Sequence, residues 1–324
     1  MVSLWLKAIR PLNILMVIAT VVLIKFALIE PLLFRLNALM KTDFRSEIGI
    51  TDFILLLLSI VFIAMSGYIF NDLNDVDTDR VNNRNNPFIS ALNPDLGLKI
   101  YYILTIAGLI LALTVALNSG NYNLGILQLT AVISLWFYST YFKGVPLAGN
   151  IIVAGLVALV PLTIGIYEVY QLQTHYMQVF DDFKNFNFIA FWVLAIASFA
   201  FLLTLIREII KDIEDLEGDQ SVGLRTFPII AGAVSSKVLA LFLSIIAMIG
   251  VYIAIDRFVP DLFSRVYGGF IITLIFTAGV LIVIAKNQKD YHRISQFIKM
   301  ITFVGLMYLV PLAYMLYNEK LVIN

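Results

Sequence analysis

Six aspartates fall into two runs with one spacing. In "NDLNDVDTDR", residues 71–80, they are Asp72, Asp75 and Asp79, with Asp77 a further aspartate outside the spacing; in "KDIEDLEGDQ", residues 211–220, they are Asp212, Asp215 and Asp219. On a helix, positions three and seven apart share a face, so each run predicts a stripe of carboxylates. Like charges this close repel, and partial burial adds a desolvation cost, so something positive must compensate. No His or Cys accompanies either run, and donor sets of oxygen alone suit Mg2+, Mn2+ or Ca2+ rather than zinc. Mg2+ takes one or two carboxylates and completes its shell with water and substrate phosphate oxygens. Two facing stripes therefore predict a place for two or more Mg2+ ions around a diphosphate. Solvated charge after a helix end accounts for one such run, but poorly for two of equal spacing. An EF-hand fits badly, because the loop Gly and the distal Glu of that pattern are missing.

The segments that must position these residues are apolar. The chain has 324 residues, is 60% hydrophobic and only 14% charged, with a mean hydropathy of +0.92. Crossing a bilayer takes about 20 apolar residues. Nine segments qualify, at roughly Pro11–Leu33, Thr51–Phe70, Leu98–Leu117, Leu124–Phe142, Leu147–Tyr167, Phe188–Leu205, Val238–Ile255, Val266–Ala285 and Ile298–Leu316. The runs are solidly apolar rather than alternating, which predicts an all-α polytopic bundle and not a barrel. The first is too long for a signal core and lacks a small-residue cleavage site, so it is expected to be a span. One membrane domain over residues 1–324 is the simplest organisation. There are no cysteines, which excludes disulfides and thiolate metal sites, and the zero formal net charge gives no basic face for nucleic acid. No obligate protein partner is evident.

Of the 22 Lys and Arg residues, fourteen fall on the inner side and seven on the outer if the N-terminus is inside, with Lys25 within a span. This bias predicts an N-in, C-out protein of the inner or plasma membrane. Four spans separate the aspartate runs, so both are expected at the cytoplasmic face, forming an Asp-lined cap. The near-repeat also suggests an internally duplicated bundle, a feature shared with transporters. A cation-coupled transporter would want acidic groups nearer mid-membrane and access from both faces, whereas both stripes here lie on one.

At these residues the sequence resembles the UbiA superfamily of intramembrane prenyltransferases. "NDLNDVDTD" is similar to its first motif, Asn-Asp-x-x-Asp-x-x-x-Asp, and "DLEGD" (Asp215 to Asp219) to its second. "IRPLN", "YSTYFKGVPLAGN" and "REIIKDIEDLEGD" followed by "GLRTFPI" also look like family signatures, so the resemblance covers essentially the whole chain. The last two look most like the branch that transfers geranylgeranyl to a glycerol-phosphate lipid. Where many members carry Arg-Pro and then Ser-Gly after the first motif, this chain has Asn86-Pro87 and Ser90-Ala91.

The resemblance implies transfer of a prenyl group, geranylgeranyl in that branch, from an allylic diphosphate to a membrane-associated acceptor. The acceptor is a lipid alcohol or, in other branches, an aromatic compound. Asp75, Asp79, Asp215 and Asp219 are the first choice for holding Mg2+, with Asn71 as a neutral ligand and Asp72 and Asp212 orienting waters or ligands. Arg10, Arg80, Lys143, Arg207 and Arg225 are candidates for phosphate oxygens; their alternative is anchoring at the inner interface. Arg84, Lys211 and Arg225 are spare cations for a second anionic head group. Aromatic faces at Tyr68, Tyr138 and Tyr141 suit an allylic cation, although packing explains any one of them. Asn13 and Asn150 are costly amides at or within spans, placed there for substrate or for helix–helix hydrogen bonds. His175 and His292 are expected to be surface residues, and Lys25 and Glu30 to reach toward the outer interface.

Overall fold

A computed structural model describes residues 2–82, 86–176 and 186–318. The apolar runs become helices because a backbone in lipid must satisfy its own hydrogen bonds. A short helix α1 (Val2–Ile9) leads into α2 (Pro11–Leu23), and a π-helical turn, Ile24–Ile29, carries the same rod into α3 (Glu30–Met40). Next come α4 (Ile50–Asn74), the short α5 (Val76–Val81) and α6 (Pro87–Ser90), then α7 (Pro94–Ser119) and α8 (Tyr122–Thr140). They are followed by α9 (Ala148–Tyr176), α10 (Asn187–Glu214) and the short α11 (Leu216–Ser221). The chain continues through α12 (Phe227–Phe258), α13 (Leu262–Ile284), α14 (Gln288–Met307) and α15 (Leu309–Tyr317). No strand occurs among the described residues.

Among the described residues, eight stretches are long and apolar enough to cross a bilayer, against the nine expected. The difference is α8. It is a helix of 19 residues at the expected place, packed beside α4, α7 and α9. Asn123, Gln128 and Thr130 dilute its apolar content, and Gln128 is buried against an interior cavity. Elsewhere large apolar side chains point outward, Val234 at 76% and Leu262 at 79% exposure among them. That surface suits lipid, where nothing drives apolar groups inward. The chain is an integral membrane protein.

Helices approach through small residues. Ser59 Oγ on α4 donates to the Gly108 carbonyl on α7 at 2.8 Å, and a Cβ at Gly108 would strike Ile63. Central α10 packs against α9, α12 and α14. At the end away from the aspartates, Lys25 does not reach outward as expected. It is only 3% exposed, and its Nζ donates to Ser46 Oγ at 2.6 Å and the Ile48 carbonyl at 3.1 Å, with Glu30 at 3.8 Å. Fully buried Glu168 on α9 accepts from Ser46 Oγ and the Glu47 N–H, so the α3–α4 connection is pinned to the bundle.

The aspartate stripes also differ from expectation. The helices do not run through them: α4 ends at Asn74 and α10 at Glu214. Asp75 (φ −94°, ψ 3°) and Asp215 (φ −93°, ψ 3°) occupy matching breaks. Short α5 and α11 then start afresh with Asp79 and Asp219 and pack against each other. Gly218 permits this contact, since a Cβ there would fall on the Asn82 side chain.

Candidate active site

The six aspartates line one cavity of about 870 Å3. Asp72, Asp75, Asp79, Asp215 and Asp219 are all buried, and each carboxylate whose contacts are resolved is held by a cation or an amide. Arg10 donates to Asp72 at 2.5 Å, and its guanidinium lies 5.1 Å from the Tyr68 ring centroid. Burial works against the Arg10 charge, but Asp72 outweighs it and the pKa is raised. Arg10 joins α1 to α2 with left-handed backbone (φ 52°, ψ 67°), a conformation costing a non-glycine residue about 1 kcal/mol. That strain, which the site tolerates, aims the guanidinium at Asp72.

Lys143, on the turn between α8 and α9, donates to Asp75 Oδ1. Asn71 donates to Asp75 Oδ2 at 2.6 Å. Asn150, at the start of α9, donates to Asp212 at 2.8 Å. On α10, buried Glu208 pairs with Arg207 at 3.2 Å and Lys211 at 3.3 Å, presenting both cations to the same cavity. Below this polar rim the walls turn apolar, with Ile60, Ile63, Leu127, Leu135, Leu156 and Leu159. Asn13, Tyr68 and Tyr138 lie at the transition.

Arg80 and Arg225 are not brought in. Both are exposed and outside the cavity wall, as is Tyr141; Arg225 instead uses its backbone N–H to bond the Gly144 carbonyl at 3.2 Å. Arg84 lies outside the described residues. His175 and His292 are exposed, beside Glu47 and Glu214. Sequence reasoning missed the work of Asn86. Its amide donates to Asp79 at 2.9 Å and the Asp72 carbonyl at 2.7 Å, while its oxygen caps α6 through the Phe88 N–H. The sequence marked it only as a missing Arg. Lys299 was also missed, having counted as one more inner charge; its Nζ bonds Asn13 Oδ1.

The donor set fits a hard divalent cation, since every ligating candidate is an oxygen and Asn71 Oδ1 is buried without a hydrogen-bond partner. Among the described residues no three carboxylates converge into a ready-made cage.

The sequence model of the UbiA prenyltransferase family matches residues 38–313. The chain belongs to the UbiA prenyltransferase family. It is thus a membrane enzyme of prenyl transfer. A digeranylgeranylglyceryl phosphate synthase from Methanosphaera stadtmanae is 33% identical over 245 residues, spanning 74% of this chain and 80% of that relative. Among solved structures, one of a digeranylgeranylglyceryl phosphate synthase superposes with a TM-score of 0.66 at 24% identity, covering 96% of this chain and 98% of that one. A UbiA homologue from Archaeoglobus fulgidus, bound to DMAPP and Mg2+, superposes at 0.57 with 18% identity, covering 97% and 99%. These two likenesses bear on the fold.

Proposed function

We propose that this enzyme transfers a geranylgeranyl group from geranylgeranyl diphosphate to the hydroxyl of a glycerol-phosphate lipid, forming an ether. The whole chain acts as one membrane domain, with its aspartate cap at the cytoplasmic face and Mg2+ as the cation. The observation that carries the reading is one cavity with six aspartates and several cations at its mouth and aliphatic walls below. That polarity gradient matches a diphosphate on an isoprenoid tail. The relatives' name, and the Mg2+ and DMAPP held by the Archaeoglobus homologue, support the chemistry.

In the reaction, the C1–O bond to diphosphate breaks, the acceptor oxygen bonds C1, and the hydroxyl proton passes to the leaving diphosphate or a cap carboxylate. Mg2+, when bound, supplies positive charge where the diphosphate gains negative charge. Asp75, Asp79, Asp215 and Asp219, with Asn71, would hold it. Lys143, Arg207 and Lys211 add fixed cations to the leaving group, arranged before reaction and therefore effective. Tyr68 and Tyr138 offer ring faces to the allylic cation, and the apolar walls exclude water from it.

The test offers geranylgeranyl diphosphate to the purified protein together with geranylgeranylglyceryl phosphate, 4-hydroxybenzoate and a naphthoate, with products resolved by mass spectrometry. The ether lipid is the expected product, and EDTA abolishes it. A prenylated aromatic compound with no ether lipid would overturn the acceptor assignment; undiminished turnover in EDTA would overturn the metal.

A further inference from the structure

Beside the first cavity lies a second, of about 470 Å3, enclosed by α2, α9, α10, α12, α13 and α14. The two share a wall of Asn13, Val17, Tyr68, Val157, Val160 and Arg207. The second is almost wholly apolar, with Trp192, Phe199 and Phe258 along it, yet Lys299 stands in its wall near Arg207. Lys299 lies on a stretch long and apolar enough to cross the membrane, and its hydrogen bond is to a neutral amide, Asn13 Oδ1. The charges acting on it are the cations Arg207 and Arg10, and no carboxylate among the described residues pairs with it. Arg10 is answered by Asp72 and Arg207 by Glu208; Lys299 has no such answer. An unpaired ammonium beside two other cations in a low-dielectric wall is costly. An anion relieves that cost, and the cavity below asks that it carry an apolar chain.

We propose that Lys299, with Asn13 and Arg207, forms a phosphate-monoester subsite that takes the head group of a single-chain isoprenoid phospholipid, whose tail occupies the second cavity. The donor then uses the first cavity and the acceptor the second, meeting at the wall they share. This rests on the acceptor reading above.

The test is binding without turnover. Affinities of the purified full-length protein for geranylgeranylglyceryl phosphate and for geranylgeranylglycerol are measured in EDTA. Wild type should prefer the phosphate ester at least about tenfold, as a charge-assisted contact implies. Lys299→Met should remove most of that preference and leave the alcohol's affinity unchanged, while Lys299→Arg retains it. Lys143→Met, at the aspartate cap, should retain it too. Equal weakening of both ligands by Lys299→Met would mean a structural role and overturn the subsite. Unchanged preference in Lys299→Met, or its loss in Lys143→Met, would also overturn it. If the Lys299-dependent preference holds but wild type forms no ether lipid, the subsite stands and the acceptor reading fails.

Discussion

Asp75 is gripped from two sides, by Lys143 and by Asn71 at 2.6 Å, and that grip holds its carboxylate at the cavity wall. Asp215 occupies the matching backbone position on the other half of the cap. Replacing either with Asn keeps the shape but removes the charge and turns one acceptor oxygen into a donor amide. We expect Asp75→Asn and Asp215→Asn each to lower kcat by about 100-fold or more, the scale of losing one preorganised electrostatic contact. Helix content by circular dichroism should be unchanged; full turnover in both would show that the cap carboxylates do not serve the reaction. Asn86 makes a different case. Deleting its amide leaves the Asp79 carboxylate and the Asp72 carbonyl short of a buried donor, which costs about 1–3 kcal/mol. Asn86→Ala should therefore lower the melting temperature in detergent and raise KM for the donor diphosphate, and an unaltered KM would separate Asn86 from the site. The aspartates were legible because their spacing repeats. Asn86 was not, because its value comes from contacts with the end of α4 and with α5, and no local pattern encodes them.

The two motif helices end alike, and that symmetry of elements builds the cap. Nothing at Asp75 or Asp215 announces a break; neither Pro nor Gly stands there, so spacing alone suggested continuous stripes. The break follows from tertiary demand, since only a fresh start lets α5 and α11 turn and pack together. Gly218 is the one visible trace of that demand, a residue without a side chain where Asn82 comes closest. Gly218→Ala should push α11 from α5 and destabilise the protein by about 1–3 kcal/mol, the usual cost of overpacking. Because Asp219 rides on α11, activity should fall further than stability does. A variant with wild-type melting temperature and kcat would show that the contact is slack. At the opposite end, the burial of Lys25 was equally hidden. Its partners Ser46 and Ile48 come from the connection after α3, and Glu168, which holds the same Ser46, from α9.

At the scale of the molecule, the apolar runs were legible, because lipid acts on composition itself, whereas the Lys and Arg bias predicts an orientation that remains to be measured. The eight-against-nine difference has a physical source. α8 faces the cavity with Gln128, so it trades apolar content for a polar lining and is less apolar than the eight other stretches. Spanning length remains: its 19 residues reach about 28 Å. It also runs from the far end, where Asn118 of the preceding helix bonds Asp52 at 2.8 Å, back to the cap at Tyr138. Orientation is the larger consequence. The proposed reaction needs the cap on the side of the membrane that holds the diphosphate donor, and the Lys and Arg bias predicts that this side is the cytoplasm. The absence of cysteine makes this directly measurable, since any introduced thiol is the only one in the chain. Exposed Gln220 on α11 marks the cap and exposed Arg257, at the end of α12, marks the opposite face. With a membrane-impermeant maleimide, Gln220→Cys should be labelled in inside-out vesicles and protected in intact cells, and Arg257→Cys should show the reverse. The opposite pattern would place the aspartates outside, away from the donor, and the proposed reaction could not be the one this enzyme performs in the cell.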